Sequence, residues 1–285
     1  MKVLILGATG MLGHAMLRRL AELPGIDAYG TVRAGSAADR LPSFIASRLL
    51  AGVDVTDADM LSSVLDKLRP EVVVNCVGVV KQQVSANDPL VVLPINAMLP
   101  HRLSRLARMV GARVVHFSTD CVFDGSQGRY TEADRCDAQD LYGRSKLLGE
   151  LHAPHTITLR TSIVGPELAS AHGLLEWFLS QEGPVKGFRR ALFSGLTTVE
   201  LADVVGRYVL PRPDLRGVYH VSAAPISKFD LLALFARTYG HDIAIEPADE
   251  PVIDRSLDGS SFHSATGYIA PSWKDMIEQM RKVFP

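Results

Sequence analysis

An α/β fold with a doubly wound parallel sheet and a smaller C-terminal α/β lobe is predicted by three features of the sequence. Short apolar runs alternate with longer helical patterns through the first 165 residues, several runs are apolar at every position, and the first run leads directly into a glycine-rich turn and a helix. Strand-helix alternation implies parallel strands, because a parallel neighbour is reached only by a crossover. Runs without polar alternation fit strands covered on both faces.

Taken in order, "KVLILG" is the first strand and "GMLGHAMLRRLAEL" its helix, and "DAYGTVR" is the second strand. "GVDV" reads as the third strand, followed by the helix "DADMLSSVLDKL", and "EVVVNCVG" as the fourth. The helix "PHRLSRLARMV" leads into the fifth strand "ARVVHF", and the helix "LYGRSKLLGEL" into the sixth, "TITLR". Beyond residue 165 the rhythm loosens into proline-bearing loops, with a strand-like "GVYHVS" ahead of a helix-like "SKFDLLALFARTYG". Residues 1–165 are therefore expected to form the nucleotide-binding part and 166–285 mainly a substrate-binding lobe, with later segments returning to the sheet.

Composition removes several classes of function. The net charge is -1 and no run of Lys or Arg stands out, so neither a nucleic acid nor an anionic membrane surface is an expected partner. No stretch approaches the ~20 apolar residues that cross a bilayer, and the N-terminal run, broken by glycines, reads as a strand rather than a signal peptide. Cys76, Cys121 and Cys136 are far apart with no CxxC pair, which argues against a disulfide framework or zinc site. His14, His101 and His116 lack metal-ligand spacing, so no metal is expected and these histidines read as structural. Cytoplasm is the expected compartment, and a homodimer is left open.

The turn "LILGATGMLGHAML" places Gly7, Gly10 and Gly13 between the first strand and its helix, which gives the sheet a Rossmann-type reading. Gly7 permits the tight turn, Gly10 lets a pyrophosphate approach the backbone, and Gly13 lets the helix pack close, while the helix N-terminus offers amides and a favourable dipole. Thr9, Met11 and Leu12 belong to the same cradle. Twenty residues after Gly13, where an NAD-binding fold carries an acidic residue, stands Arg33. A guanidinium suits a 2'-phosphate, so NADPH is favoured over NADH; the other reading is a solvated loop arginine. Asp54 is placed beside Val55 to accept from an adenine amino group, or else to cap or turn the chain before the next helix.

Tyr142 and Lys146, four apart in "LYGRSKLLGEL", share a helix face. A free tyrosine titrates near ~10 and serves as a neutral-pH acid only if a cation favours its ionised form, which Lys146 and an oxidised nicotinamide can do.

The first-strand GxxGxxG, Thr119 twenty-three residues ahead of Tyr142, the YxxxK pair and "NCVG" closing the fourth strand together resemble the extended short-chain dehydrogenase/reductase family. Within it, "FSTDCVFDG", "YGRSKLLGE", "LTTVELADVV" and the late "DRSLDGSSF" and "TGYIAPSW" are similar to the dTDP-4-dehydrorhamnose reductase-like group, which reduces nucleotide-linked 4-keto-6-deoxy sugars in deoxysugar and polysaccharide biosynthesis. The resemblance implies an NAD(P)H-dependent oxidoreductase. In it Tyr142 gives a proton to the carbonyl oxygen, Lys146 lowers the tyrosine pKa and holds the nicotinamide ribose, and Thr119 hydrogen-bonds the same oxygen. It further implies that Cys76, Val77 and Gly78 line the cofactor and that Thr161, Ser162 and Ile163 lie near the nicotinamide. Lys81 meets a diphosphate or sugar hydroxyl, or is an ordinary loop lysine; Thr197 contacts the sugar or caps a helix; Arg189 binds phosphate or, with Arg190, forms a solvated basic turn.

Asp120, Cys121 and Phe123 are expected to shape the sugar pocket. Dehydratases of the superfamily resemble one another in Thr-Asp-Glu, and a neutral thiol near ~8.5 is a poor substitute for that glutamate. Reductases of the rhamnose type commonly carry tyrosine there, so Cys121 also leaves the sugar open, an acetamido sugar on a UDP carrier included. Two further readings stay beside the reductase: a 4-epimerase that keeps its cofactor, and a non-catalytic NADP-binding subunit similar to the beta subunit of methionine adenosyltransferase.

Overall fold

The structure is a computed structural model that describes residues 1–33, 41–81, 84–168, 171 and 173–285. Its first half contains β1 (Lys2–Leu6), α1 (Met11–Ala21), β2 (Asp27–Val32), α2 (Ser43–Ala46), β3 (Leu49–Ala51), α3 (Ala58–Leu68), β4 (Val72–Asn75), α4 (Pro89–Val92), α5 (Leu99–Met109), β5 (Arg113–Ser118), α6 (Leu141–Leu148) and β6 (Thr156–Arg160). The second half adds β7 (Ile163–Val164), α7 (Leu174–Leu179), β8 (Val185–Phe188), β9 (Ala191–Phe193), β10 (Leu196–Thr197), α8 (Thr198–Val204), β11 (Gly217–His220), β12 (Ile226–Ser227), α9 (Lys228–Tyr239), β13 (Ile245–Ala248), β14 (Ile253–Asp254), α10 (Ser260–Thr266) and α11 (Trp273–Val283).

Seven strands pair in the order β11-β6-β5-β4-β1-β2-β3, all parallel, so the chain starts mid-sheet, winds outward to β3, and then returns past β1 toward the opposite edge. The continuous apolar runs have the expected cause. Val3 and Ile5 of β1, with Val115 and Phe117 of β5, face the layer that contains α1, α8 and α11; Leu4, Leu6 and Val114 face the layer of α3 and α5. Successive side chains point to opposite faces, and both faces are covered.

"GVDV" is not the third strand. That strand ends at Ala51, because Gly52 takes a left-handed φ of 76° and turns the chain, leaving Asp54 past the strand. Asp57, not Asp54, caps α3, accepting from the amides of Asp59 and Met60.

Beyond residue 165, β11 pairs with β6 from Gly217↔Ile157 to His220↔Arg160. The smaller sheets β12-β9-β14, β13-β8 and β10-β7 lie apart from it. Helix α8 packs on α1, where Arg19 grips Asp203 at 2.9 and 3.1 Å and Gln279 of α11 donates to the same carboxylate. Among the described residues no helix is long and apolar enough to cross a membrane.

Candidate active site

Strands β1, β4, β5 and β6 end on one side of the sheet, and each releases its chain there into a segment that carries site residues. At the end of β1 the amide of Gly7, at φ 77°, donates to the Thr31 hydroxyl, and the Gly10 amide donates to the Gly7 carbonyl at 3.0 Å. A Cβ on Gly13 would lie 2.0 Å from the Gly7 oxygen, so only glycine lets α1 sit this close to the turn. Gly10 differs: a Cβ there would meet nothing nearer than the Gly7 oxygen at 3.5 Å. The protein's own packing leaves that space open. It lies at the N-terminus of α1, which has no side-chain cap, so dipole and amides face it uncompensated. This cradle fits a pyrophosphate.

Arg33 follows β2 directly, is exposed, and has no ion pair among the described residues. Its charge acts on Asp54, whose carboxylate is held below the usual range chiefly by the Thr56 hydroxyl and amide at 2.7 and 2.8 Å. Asp54 is thus a turn residue beside Arg33, with buried Val55 next to it. These residues fit the adenosine end of a phosphorylated dinucleotide.

After β4, Asn75 accepts from the Val77 amide and donates to His116, shaping the Cys76-Val77-Gly78 segment that lies against the glycine turn. Burial pushes the Cys76 thiol far up, so it is neutral. After β6 come buried Thr161, half-buried Ser162 and then Ile163, which enters β7 opposite Leu196. Of the histidines, His14 meets the Gly10 carbonyl through Nδ1, His101 contacts the Leu148 carbonyl, and His116 is buried, its proton affinity driven well below the ordinary imidazole value by desolvation.

Thr119 directly follows β5. Its hydroxyl accepts from the Cys121 amide at 3.1 Å and donates to buried Asp120 at 3.1 Å. Tyr142 opens α6, whose N-terminus is capped by Asp140 through the Gly143 amide at 2.7 Å. Burial pushes the phenol upward. Lys146, one turn on and buried, donates to the Phe117 carbonyl at 2.6 Å rather than to the phenol, and burial lowers its ammonium to about 8. Thr119, just past β5, and Tyr142 and Lys146, on α6, therefore belong to two segments that pack together at this end of the sheet.

The candidate sugar-pocket residues divide. Lys81 pairs with Asp140 at 2.7 Å beside Tyr142, and half-buried Cys121 adjoins them, its thiol pushed up to about 12 by burial. Phe123 is not at the pocket: it is fully buried and stacked on Tyr130, ring centres 4.1 Å apart, because the turn rotates it into a small cluster with Val122 and Leu257. Thr197 is also fully buried and accepts from the Glu200 amide as the cap of α8, so its hydroxyl is committed to the helix. Arg189 commits the Nε/Nη2 edge of its guanidinium to Asp249, at 2.9 and 2.8 Å, on the exposed surface.

Three participants are absent from the expectations. Asn96 lies in a π-helical segment, Leu93–Met98, and brackets Val79 with bonds of 2.9 and 3.0 Å while donating to Ser145 of α6. Pro94 and Pro100 inside one helical pattern were the available signal of a distorted helix. Arg255 donates to the Phe123 carbonyl, and its charge reaches Cys121 and Asp140. Glu150, four residues after Lys146, forms a buried pair with Arg160.

A family model described as RmlD substrate binding domain matches residues 1–284. The probable low-salt glycan biosynthesis reductase Agl14 of Haloferax volcanii is 33% identical over 306 residues, covering 100% of this chain and 98% of that protein. The dTDP-4-dehydrorhamnose reductase of Escherichia coli (strain K12) is 26% identical, covering 98% and 97%. The crystal structure of dTDP-4-dehydrorhamnose reductase from Bacillus anthracis str. Ames in complex with NADP has the same fold, with a TM-score of 0.80, 20% identity and 99% of each chain covered.

Proposed function

Because the chain belongs to the RmlD substrate binding domain family, we propose that it uses NADPH to reduce the 4-keto group of a nucleotide-linked 4-keto-6-deoxy sugar. The observation that carries this reading is the packing of the turn that follows Thr119 against α6, the helix that bears Tyr142 and, one turn on, Lys146, whose ammonium donates to the Phe117 carbonyl. The family's named reductases support it, as does the NADP bound in the Bacillus anthracis relative.

The cofactor, when bound, supplies the hydride. Residues Gly7 to Gly13 hold its pyrophosphate, Arg33 its 2'-phosphate, and Asp54 with Val55 its adenine; Cys76 to Gly78 and Thr161 to Ile163 line the nicotinamide half. As the sugar carbonyl gains charge, Tyr142 gives its proton to that oxygen, and Thr119 donates a second hydrogen bond to it. The raised pKa of Tyr142 in the absence of substrate keeps the phenol protonated and ready as an acid. The Lys146 ammonium stabilises the phenolate left behind. Division of labour along the chain follows: residues 1–165 mainly hold cofactor and acid, and 166–285 mainly the sugar nucleotide. Cys121, too high in pKa to be a nucleophile at neutral pH, acts as a small apolar wall. Cytoplasm is the compartment that fits this chemistry.

The test is incubation with NADPH and a panel of dTDP-, UDP- and GDP-linked 4-keto sugars, following reduced-nicotinamide absorbance and the mass of the sugar product. A gain of two hydrogens with stoichiometric NADPH loss is expected for one carrier and sugar. NADPH binding with no conversion of any member would overturn the enzyme reading in favour of a binding subunit, and conversion without net NADPH loss would favour an epimerase.

A further inference from the structure

One buried carboxylate reaches three parts of the site. The side chains of Glu150 and Arg160 are only 2% and 7% exposed. Arg160 donates from Nε to Oε1 and from Nη2 to Oε2, both at 2.8 Å, and the Ser118 hydroxyl donates to Oε1 at 2.7 Å. Ser118 immediately precedes Thr119, Arg160 immediately precedes Thr161, and Glu150 stands just past the end of α6, four residues beyond Lys146. The pair extends outward: Nη1 of Arg160 meets His220 of β11 at 3.2 Å, His220 meets the Tyr130 carbonyl at 2.9 Å, and the guanidinium lies 5.6 Å from the Phe123 ring centre. Buried ion pairs rarely out-stabilise apolar pairs of the same volume, so a purely structural use explains this one poorly.

We propose that Glu150 is a positioning residue of the reductase site, its carboxylate fastening the segment that ends α6 to the ends of β5 and β6 and so holding the Lys146 ammonium at its place in the site. The inference rests on the reading that Lys146 serves the reduction. Burial lowers Lys146, and the charge that opposes this comes from Glu150. The other groups around the ammonium do not replace it. From β5 it faces the Phe117 carbonyl and the neutral His116 imidazole. On its own helix it has Tyr142, the π segment offers uncharged Asn96, and the field of Asp120 falls on Tyr142 and Cys121.

The test uses full-length protein carrying [13Cε]lysine, with the Lys146 signal assigned by Lys146→Arg and followed by NMR against pH. Two variants are compared: Glu150→Gln, and Glu150→Met with Arg160→Met, which removes both charges so that no lone ion is left buried. In wild type the Lys146 signal is expected to titrate at about 8. In either variant it moves down by about one pH unit or more. Turnover of the sugar nucleotide falls by about twofold at pH 7 and about fivefold at pH 8, as a one-unit shift requires, with its KM within twofold, and recovers as pH is lowered below the new midpoint. A structural lesion gives no such recovery. If Glu150→Gln fails to fold, a stranded guanidinium accounts for it and the double variant decides. A folded double variant whose Lys146 titrates as in wild type overturns the proposal. A wild type that binds NADPH but reduces no sugar fails the functional reading alone, because the titration is still read.

Discussion

The three glycines of the first turn give a prediction in which one added methyl has three different outcomes. At Gly13 the methyl lands 2.0 Å from the Gly7 oxygen and 2.8 Å from its carbon, both backbone, so α1 must lift off β1. Overpacking of that kind costs about 3 kcal/mol. In a domain of this size the loss corresponds to a melting point roughly 6–12 °C lower. At Gly7 the φ of 77° adds left-handed strain of about 1–2 kcal/mol, and the methyl meets Val77 at 2.9 Å. At Gly10 the backbone is an ordinary φ of -73° and the nearest atom is 3.5 Å away. Alanine there is a poorer helix cap than glycine by about 1 kcal/mol, offset by about 0.4–1 kcal/mol of lost unfolded-state freedom, so stability barely changes. The methyl instead fills the cradle, and NADPH affinity is expected to fall at least tenfold, about 1.4 kcal/mol. Thermal melts of the three alanine variants, with calorimetric titration of NADPH, separate these outcomes. Gly10→Ala binding NADPH like wild type, or melting as early as Gly13→Ala, refutes the assignment of that space to the pyrophosphate.

Other outcomes follow from the same geometry. Tyr142→Phe should lower kcat by ~10²–10⁴-fold while NADPH affinity stays within about twofold, read by single-turnover kinetics and titration. Arg33→Ala should raise the NADPH Kd at least about tenfold and leave NADH within about twofold, since only the 2'-phosphate loses a partner. Because Lys146 is lowered from the usual lysine value to about 8, its charge is present below that pH and lost above it, so the rate of reduction should fall as pH rises through about 8. Arg189→Ala should leave the sugar-nucleotide KM unchanged in steady-state assays, because its guanidinium serves Asp249.

What the sequence made legible was local. Gly7, Gly10 and Gly13 directly follow a strand, and Tyr142 and Lys146 lie one turn apart, so their placement depends on contiguous chain and survives into the structure. Phe123 and Thr197 cannot be assigned from sequence, because an apolar loop residue and a threonine ahead of a helix each have two uses, and which one applies is set by packing: Tyr130 and Leu257 place the first in a buried cluster, and for Thr197 the helix-cap reading is the one the structure shows. The third strand was displaced by the turn at Gly52, which an apolar-pattern reading runs across. Asn96, Arg255 and the Glu150-Arg160 pair stayed hidden for a related reason. Their meaning lies in contacts between segments ten to more than a hundred residues apart, such as Arg255 on the Phe123 carbonyl.

The return of β11 to the edge of β6, with α8 and α11 laid over α1, bears on engineering. A fragment ending at residue 165 would bare Met16, Leu17 and Leu20 on α1 and leave the hydrogen-bonding edge of β6 unpaired, the kind of surface that recruits other chains into aggregates. Residues 1–165 are therefore not a detachable cassette. Chimeras between relatives should keep the sheet and its covering helices from a single parent and trade the loop from Asp120 to Tyr130 together with the segment around Arg255, because Arg255 donates to the Phe123 carbonyl.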